Sequence, residues 1–557
     1  MRLRYAPLAL FLLSGAACHR APEAVKPAPQ WWEQAVIYEI YPRSFGDTNG
    51  DGVGDLNGIT AHLDYLQDLG VNAIWITPFY PSPQVDFGYD ISDYSAIDPQ
   101  YGTLADFDRL AEEAGKRNIR VIADLVLNHT SDRHAWFAES RSSRTNPKAD
   151  WYVWRDGKPG SRAPNNWQSL FGHSAWQYDA GRGQYYYHEF YREQPDLNWR
   201  NRDVRNAMYD AARFWMKRGV AGFRLDAITS LFEDPQLRDE PALPGLNAYG
   251  EPILTRQFTD NLPEVHDVLR ELRRVTNEFP GRVLIGETYL PSVQELAKMY
   301  GAKNDELQLP MNMQFGFGNR LSAADFRRRL QEAETGVGGN MPLLVFDNHD
   351  NPRSWNRYGD GKNDLAIAKL LATLLLTSRS TALLYYGQEL GMENNDPRRR
   401  EDVKDPIGRI GWPKEKGRDG ERSPMQWDAG PNAGFSAAKA TWLPIASGYA
   451  ARSVAAESKD PDSLLSLYKA LIRLRKENPA LRTGGFELIN DDDANVLSYL
   501  RGSVLVALNF SAVPQKKTYD KYGQATALVS SFAKAGQSVD LGGLVLPPYG
   551  AFVGKVK

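Results

Sequence analysis

Acidic side chains close several short apolar runs in this sequence. Gly222–Asp226 ends in an aspartate, and residues 284–287 end in a glutamate. Residues 124–129 and 347–350 each follow an apolar run and combine an aspartate with a histidine. A lone acid at the end of a strand is more often a cap or an ion-pair partner, but four such ends in one chain favour a shared site. Two carboxylates about 5 to 5.5 Å apart suit hydrolysis of a glycosidic bond with retention.

The two carboxylates of such a reaction need different protonation states. Arg224 precedes Asp226 by two positions, and the period of a strand places both side chains on one face. An adjacent cation lowers a carboxylate pKa, so we expect Asp226 to be ionised. Glu287 needs the opposite shift, by burial or by nearby acids, to donate a proton.

The elements that position these residues follow from the alternation of apolar runs with amphipathic helical stretches, which is typical of parallel strand–helix units. Eight strands predict an α/β fold, a (β/α)8 TIM barrel, whose reacting groups lie at the C-terminal strand ends. One connecting helix is predicted over residues 203–217, with Asp203 as its cap and Gly219 after its end. The predicted strands are residues 36–41, 73–77, 121–127, 222–226, 283–287, 307–314, 343–347 and 383–386.

Two segments fall outside a simple barrel. Residues from about 129 to 200 are rich in Trp, Tyr, Asn and Gly and are too long for an ordinary loop, so they predict a domain inserted after strand three. After a helix over residues 464–477, the alternating runs of residues 481–557 predict a C-terminal antiparallel β-sandwich. The catalytic barrel then spans residues 31–480.

Four of these runs together carry a resemblance to a known family. Residues 124–129, 222–226, 286–287 and 348–350 are similar, in order and spacing, to the four signature regions of the α-amylase family of glycoside hydrolases, family 13. The chain most resembles its bacterial α-glucosidase and oligo-1,6-glucosidase branch over roughly residues 31 to 557. Supporting segments are residues 36–45, 88–90, 194–198 and 422–428 (RSPMQWD).

The resemblance implies a role for each matched residue. Asp226 is then the nucleophile, Glu287 the general acid/base, and Asp350 a third carboxylate that orients sugar hydroxyls. The family often has a second glycine where this chain has His173, a departure that adds one candidate contact. The implied substrate-binding residues are Tyr89, Asp90, His129, Phe171, Phe190, Arg224, His349 and Arg353.

Residues 47–55 (DTNGDGVGD) place oxygen donors at alternate positions, as in a loop that wraps a hard cation. Gly58 stands where a helix–loop–helix calcium site would need glutamate, so that class of site is excluded. The family resemblance implies calcium, or sometimes magnesium, after the first strand. The alternative is a metal-free turn. The expected ligands are the side chains of Asp47, Asn49, Asp51 and Asp55 and the carbonyl of Val53.

Composition limits the partners. The 66 Lys and Arg nearly balance the 69 Asp and Glu, so there is no basic field of the kind that binds nucleic acid. No organic cofactor is expected. The expected partner is a small α-glucoside, and the sequence leaves the oligomeric state open.

The N-terminus predicts export. Arg2 and Arg4 precede an apolar run over residues 6–13 and small residues that end at Cys18, the pattern of a secretory signal over residues 1–18. Cys18 stands where bacterial lipoproteins are lipidated, although Gly15 departs from the usual leucine. We expect a proline-containing tether over residues 19–30 and a protein that is periplasmic or lipid-anchored to the outer membrane. Ordinary cleavage near residue 16 is the alternative.

The leading hypothesis is a retaining, exo-acting α-glucosidase on short α-glucosides. Ala227, directly after the nucleophile, favours α-1,4 over α-1,6 linkages, because the α-1,6-specific relatives tend to carry valine there. The alternatives are a transglucosidase, trehalose synthase or sucrose isomerase, which share the three acids, and an oligo-1,6-glucosidase. A non-catalytic sugar-binding relative is disfavoured by the presence of all three acids.

Overall fold

The computed structural model describes residues 30–160, 162–318 and 320–556. The predicted signal, Cys18 and nearly all of the predicted tether lie outside the described residues. Within the described ranges, no helix combines the length and apolar character needed to cross a membrane.

Eight parallel strands close into a barrel, which confirms the predicted fold class. The strands are β1 (Val36–Ile40), β2 (Ala73–Ile76), β3 (Arg120–Val126), β4 (Gly222–Asp226), β5 (Val283–Gly286), β6 (Leu309–Asn312), β7 (Leu343–Val345) and β8 (Thr381–Tyr385). Strand β6 is shorter than predicted at both ends, because helix Met313–Gly316 begins immediately after it. Strand β8 starts two residues earlier than predicted and pairs with β1, which closes the barrel.

Both faces of the barrel strands are buried, so their residues are apolar almost without interruption. Ile37, Trp75 and Leu309 belong to the cluster inside the barrel. Tyr38 and Ile74, their neighbours along the strands, pack outward against the helices. Polar residues such as Arg224 enter the interior only toward the C-terminal strand ends, so that end of the barrel is where chemistry can occur.

Helices surround the barrel. The helix predicted over residues 203–217 is Arg202–Lys217. The predicted cap, Asp203, is wrong: the capping residue is Asn201, whose side chain accepts a hydrogen bond from the Asp203 N–H. The remaining helices are Leu56–Ala61, Leu63–Leu69, Leu104–Lys116, Ala135–Ser142, Val265–Asn277, Val293–Lys298, Met313–Gly316, Ala323–Thr335, Ser354–Tyr358, Asp364–Thr377, Pro406–Gly411, Val454–Glu457, Leu464–Glu477 and Pro479–Thr483.

A small antiparallel sheet lies between β3 and helix Arg202–Lys217, inside the segment predicted as an insertion. Its strands are Trp154–Arg155, Gln184–Tyr187 and Trp176–Asp179, with the second in the middle. An isolated bridge between His129 and Asp196 joins the two ends of this segment. The insertion is therefore fastened at the C-terminal end of β3.

Two further segments at this end of the barrel were not predicted. A hairpin of Ala242–Leu246 and Pro252–Leu254 follows β4. After β8 the chain runs through residues 386–463 with only short helices. These segments contain few periodic apolar residues, so apolar periodicity does not indicate them.

The C-terminal part is an antiparallel β-sandwich, as predicted. One sheet contains, in spatial order, Phe486–Ile489, Val496–Arg501, Val504–Asn509, Ala551–Val556, Gln524–Ser530 and Ser538–Asp540, and the other contains Gln515–Lys517 and Leu544–Leu546. Phe510 stacks on Phe326 of a barrel helix, and Tyr499 hydrogen-bonds Thr377 at 2.6 Å. The sandwich is thus packed against barrel helices away from the strand ends that carry the acids.

Candidate active site

Arg224 lies at the centre of the acidic residues. Its Nη1 donates to Asp226 at 2.6 Å and to both oxygens of Asp124 at 3.1 Å. Its Nη2 lies 2.8 Å from Glu287 Oε1. The register of β3, β4 and β5 produces this arrangement, because Arg224 is paired directly with Asp124 on one side and Ile285 on the other. One guanidinium therefore faces three carboxyl groups from three neighbouring strands.

Asp226 and Glu287 share one side of that guanidinium. Both are nearly buried, at 7% and 9% exposure. Ala227, which follows Asp226, has φ +44° and ψ +37°, a left-handed conformation that is uncommon for a residue with a side chain. This turn points the Ala227 N–H at Glu287 Oε2, 2.9 Å away. The backbone therefore helps to hold the acid next to the nucleophile.

Burial dominates the protonation of this pair. It raises the pKa of Asp226 to about 7 and that of Glu287 to about 7, against the lowering effect of Arg224. Arg224 lowers the pKa of Asp226, as expected, but burial together with the neighbouring acids outweighs that effect. The raised pKa of Glu287 agrees with its expected role. Arg224 Nη1 donates a hydrogen bond to Asp226 at 2.6 Å, which stabilises the ionised form of Asp226, so we assign the proton shared by the two acids to Glu287.

Asp350 has a different environment. Its Oδ1 accepts from Arg418 at 3.0 Å and from Arg422 at 2.9 Å, and its Oδ2 lies 3.2 Å from His349 Nε2. Burial alone would raise its pKa, but these neighbours hold the pKa below its ordinary value. Burial also lowers the pKa of His349, so that ring is neutral and the two arginines are the cations that keep Asp350 ionised.

Tyr89 is fixed by a hydrogen-bonded chain. Its hydroxyl donates to Asp124 at 3.1 Å and lies 2.7 Å from His349 Nε2, while His349 Nδ1 lies 2.6 Å from Glu39 Oε1. Burial raises the pKa of Glu39, so we assign its proton to the bond with Nδ1 and place the single N–H of the neutral ring on Nε2. His349 then accepts at Nδ1 and donates to the Tyr89 hydroxyl from Nε2.

The acids face a cavity of about 640 Å³ at the C-terminal end of the barrel. Of the predicted residues, Tyr89, His129, Phe171 and Phe190 line it together with the three acids. The His129 and Phe190 rings make an edge-to-face contact at 5.0 Å, and Phe171 lies 5.4 Å from Phe190. Arg224 and His349 lie behind this wall and contact the acids, so they position the acids without facing the cavity.

Three other candidate contacts lie away from the cavity wall. Asp90 is buried and accepts from Ser82 Oγ and from the N–H groups of Val85 and Asp86. Arg353 is fully buried and donates to the carbonyls of Tyr386 and Glu421. His173 hydrogen-bonds Glu251 at 3.0 Å. None of the three is among the described residues that line the cavity.

Two residues missed by the sequence analysis take the places expected for Asp90 and Arg353. Asp86 and Arg418 both line the cavity and form an ion pair at 2.6 Å. Arg418 also pairs with Asp405 at 2.8 Å, so it joins the loops after β2, β7 and β8. The only sequence signal was proximity: Asp86 is three residues before Tyr89, and Arg418 is four before Arg422.

In the loop predicted to bind a metal, side-chain oxygens accept hydrogen bonds from the loop's own backbone N–H groups. Asp47 accepts from the N–H groups of Asn49 and Gly50, Asn49 from Asp51, and Asp51 from Val53. Asp55 instead accepts from Thr48 and caps helix Leu56–Ala61. Within the described ranges, no three His, Cys, Asp or Glu side chains converge in a way that could hold a metal ion. The donor atoms are all oxygens, which suits calcium or magnesium, and the site stays a prediction.

Comparison with known proteins identifies the family. The model of the α-amylase catalytic domain matches residues 39–484. The chain belongs to the α-amylase family of glycoside hydrolases. It is 45% identical over 489 residues to a protein of Rhizobium meliloti named "Probable alpha-glucosidase", covering 86% of this chain and 88% of that one. It is 40% identical to the oligo-1,6-glucosidase of Parageobacillus thermoglucosidasius, covering 86% and 90%.

A solved structure of this α-amylase family agrees with the fold described above. An isomaltulose synthase mutant from Erwinia rhapontici, in complex with its natural substrate sucrose, superposes with a TM-score of 0.88 at 36% identity, covering 96% of this chain and 100% of that one. The chain is therefore an α-amylase-family glycoside hydrolase, and the proteins similar to it include named glucosidases and an isomaltulose synthase.

We predict that the acid pair destabilises the fold at alkaline pH. The pKa of Glu287 is raised to about 7 in the folded state, so above about pH 7 its ionised form lowers the free energy of unfolding by about 1 to 3 kcal/mol. At a pH low enough for Glu287 to be protonated in both the folded and the unfolded state, this cost is absent. Glu287→Gln should therefore raise the melting temperature at pH 8 more than at pH 5, as measured by calorimetry. A larger gain at pH 5 would contradict the raised pKa.

Proposed function

We propose that the protein is a retaining, exo-acting α-glucosidase that removes glucose from short α-glucosides. The observation that carries this proposal is that Asp226 and Glu287, both in contact with Arg224, line one cavity together with Asp350. The bridge from Arg418 to Asp86 and Asp350 lies in the cavity wall beside the acids. We infer that it blocks the cavity beyond the first sugar, so that a chain end enters and the middle of a polysaccharide does not.

The reaction follows from the positions of the two acids. The Asp226 carboxylate attacks the anomeric carbon while Glu287 gives its proton to the leaving oxygen, and the glycosidic bond breaks. Water then attacks the glucosyl ester, loses a proton to Glu287 and releases Asp226. Two inversions give net retention. Asp350, kept ionised by Arg418 and Arg422, stabilises the positive charge that develops on the sugar.

The charge of the cavity favours a neutral substrate. In the described part of the chain, its lining includes seven carboxyl groups and two guanidinium groups, those of Arg256 and Arg418. Asp226 and Glu287 share a proton, but the excess of acids remains. A phosphorylated disaccharide would meet like charge here, so unphosphorylated α-glucosides are the expected class.

A second candidate is an enzyme that transfers or isomerises glucosides. It is favoured by the similarity to the isomaltulose synthase, whose fold and length match this chain. The covalent intermediate is common to both functions, and the acceptor decides between them. Incubation with maltose, isomaltose, sucrose and trehalose, followed by chromatography of all products, separates them: monosaccharides alone (glucose, with fructose from sucrose) support hydrolysis, and new disaccharides support transfer.

Asp226→Asn is expected to lower kcat by at least about a thousandfold, because an amide is a poor nucleophile. The first product of the wild-type enzyme should be α-glucose, which proton NMR detects before mutarotation. Glu287→Gln should lose less activity on p-nitrophenyl α-glucoside, whose leaving group needs little protonation, than on maltose. A β-configured first product would overturn the retaining mechanism.

Linkage preference is expected to depend on Ala227, which lines the cavity next to the nucleophile. Valine at this position would occupy the space needed by the second sugar of an α-1,4 disaccharide. Ala227→Val should therefore lower kcat/KM for maltose about 10- to 200-fold more than for isomaltose.

The left-handed backbone of Ala227 makes a β-branched side chain strained, so the ratio of the two substrates is the informative quantity. Ala227→Gly is the matched control, because glycine adopts this conformation and leaves the space open. Its ratio should stay at the wild-type value. A wild-type preference for isomaltose would contradict the α-1,4 assignment.

We also propose that residues 47–55 bind calcium for stability and not for catalysis, since the loop lies outside the residues that line the cavity. Excess chelator should lower the melting temperature, because a ligand bound only to the folded state stabilises it. Asp51→Asn can keep its hydrogen bond to the Val53 N–H and should abolish the chelator effect. No metal by elemental analysis, with an unchanged melting temperature, would exclude the site.

A further inference from the structure

Arg256 is a cation in the cavity wall that the proposed mechanism does not use. It lies on the segment after the unpredicted hairpin and lines the cavity together with Asp260. Its Nη1 forms an ion pair with Glu189 Oε1 at 2.5 Å. Among the described residues, its Nε and Nη2 have no hydrogen-bond acceptor, whereas all three nitrogens of Arg418 are bonded to carboxylates. Arg256 therefore presents N–H donors to whatever enters the cavity.

Glu189 holds Arg256 in a fixed position. This glutamate is 1% exposed, and its Oε2 accepts from the Tyr187 hydroxyl at 2.5 Å. Its N–H donates to Asp196 at 2.8 Å, and its carbonyl accepts from Leu170 at 2.8 Å. A guanidinium paired with so constrained a carboxylate loses little conformational freedom when a ligand binds.

The location of Arg256 corresponds to the leaving group. Asp226 and Glu287 form the buried floor, whereas Leu170 and Tyr289 in the same lining are 53% and 50% exposed and mark the entrance. The Arg256 side chain is 32% exposed, between these values. The Asn261 N–H donates to the carbonyl of Thr229 at 2.7 Å, which holds this segment beside the turn after Asp226. An exo-acting enzyme places the second sugar in this outer half.

The polar groups here match a sugar and not an anion. The charge of Arg256 is balanced by Glu189, and Asp260 adds a carboxylate to the same wall. The Asp260 N–H bonds the Arg256 carbonyl at 3.1 Å, so a donor side chain and an acceptor side chain are one helical turn apart. Such a pair can bind two neighbouring hydroxyl groups of one ring.

We propose that Arg256, positioned by Glu189, recognises hydroxyl groups of the leaving sugar and makes the enzyme selective for disaccharides over α-glucosides with a hydroxyl-free leaving group. The inference rests on the proposed glucosidase function and adds a specificity residue to it. Arg256 contacts the leaving group, and Glu189 is a positioning residue that acts through Arg256.

The test compares maltose with p-nitrophenyl α-glucoside, whose leaving group carries no sugar hydroxyls. Arg256→Met should lower kcat/KM for maltose about tenfold to a hundredfold, because bonds from a charged donor are lost, and change the aryl glucoside less than about threefold. Near-normal activity on the aryl glucoside also shows that the variant is folded. Equal loss on both substrates, or no loss on maltose, would overturn the proposal.

Arg256→Lys is the matched control for folding, because it keeps a cation beside buried Glu189 and removes the planar fork of donors. It should keep the wild-type melting temperature and still lose selectivity for maltose. If Arg256→Met does not fold, the same comparison in Arg256→Lys decides the question. A lysine variant with the wild-type substrate ratio would show that Arg256 is only a structural ion-pair partner.

Glu189→Gln tests the positioning role. It should lower the ratio of kcat/KM for maltose to kcat/KM for the aryl glucoside in the wild-type background. The same substitution should leave this ratio unchanged in the Arg256→Lys background. Additive effects on the ratio would contradict action through Arg256. A wild-type enzyme that forms neither glucose nor a transfer product from any α-glucoside would refute the proposed function, whereas an active enzyme with an unmoved ratio refutes only the role of Arg256.

Discussion

One buried guanidinium against several buried acids is the constraint on which the active site depends. Arg224 is fully buried and faces Asp124, Asp226 and Glu287 at once. Moving charged groups out of water is costly, and one cation cannot compensate three carboxylates. The consequence is that the pKa values of Asp226 and Glu287 both rise to about 7. A proton is therefore retained near neutral pH at the place where the chemistry needs an acid.

The same constraint explains why Asp350 has its own cations. A fourth acid that depended on Arg224 alone would also have a raised pKa, and its protonated form could not stabilise a positively charged sugar. Arg418 and Arg422 approach Asp350 from the segment after β8 and keep its pKa low. The barrel strands thus position Asp226 and Glu287, and a loop supplies the cations for the remaining carboxylate.

The sequence predicted the parts of the site that belong to strands. Asp226 and Glu287 close apolar runs whose buried sides leave a periodic pattern, and the closed barrel confirms the strands that carry them. It failed where position depends on long loops. Asp90 lies one residue after Tyr89, yet its carboxylate accepts hydrogen bonds from the backbone N–H groups of its own turn. Asp86 lines the cavity instead. Residue type does not show which of the two arginines, Arg353 or Arg418, lines the cavity. The folded loops place Arg353 against buried carbonyls and Arg418 in the cavity wall.

Chemistry and selectivity consequently belong to different layers of this molecule. The acids sit on strands whose register fixes them, so relatives with the same barrel can share the covalent intermediate. Arg256, Glu189 and Phe171 lie on the insertion and the loop after β4, and no strand register holds them. If the proposed role of Arg256 holds, a change in these loops alters the selection of the second sugar or of the acceptor without moving Asp226 or Glu287. This separation accounts for relatives of one fold whose names include both glucosidase and isomaltulose synthase.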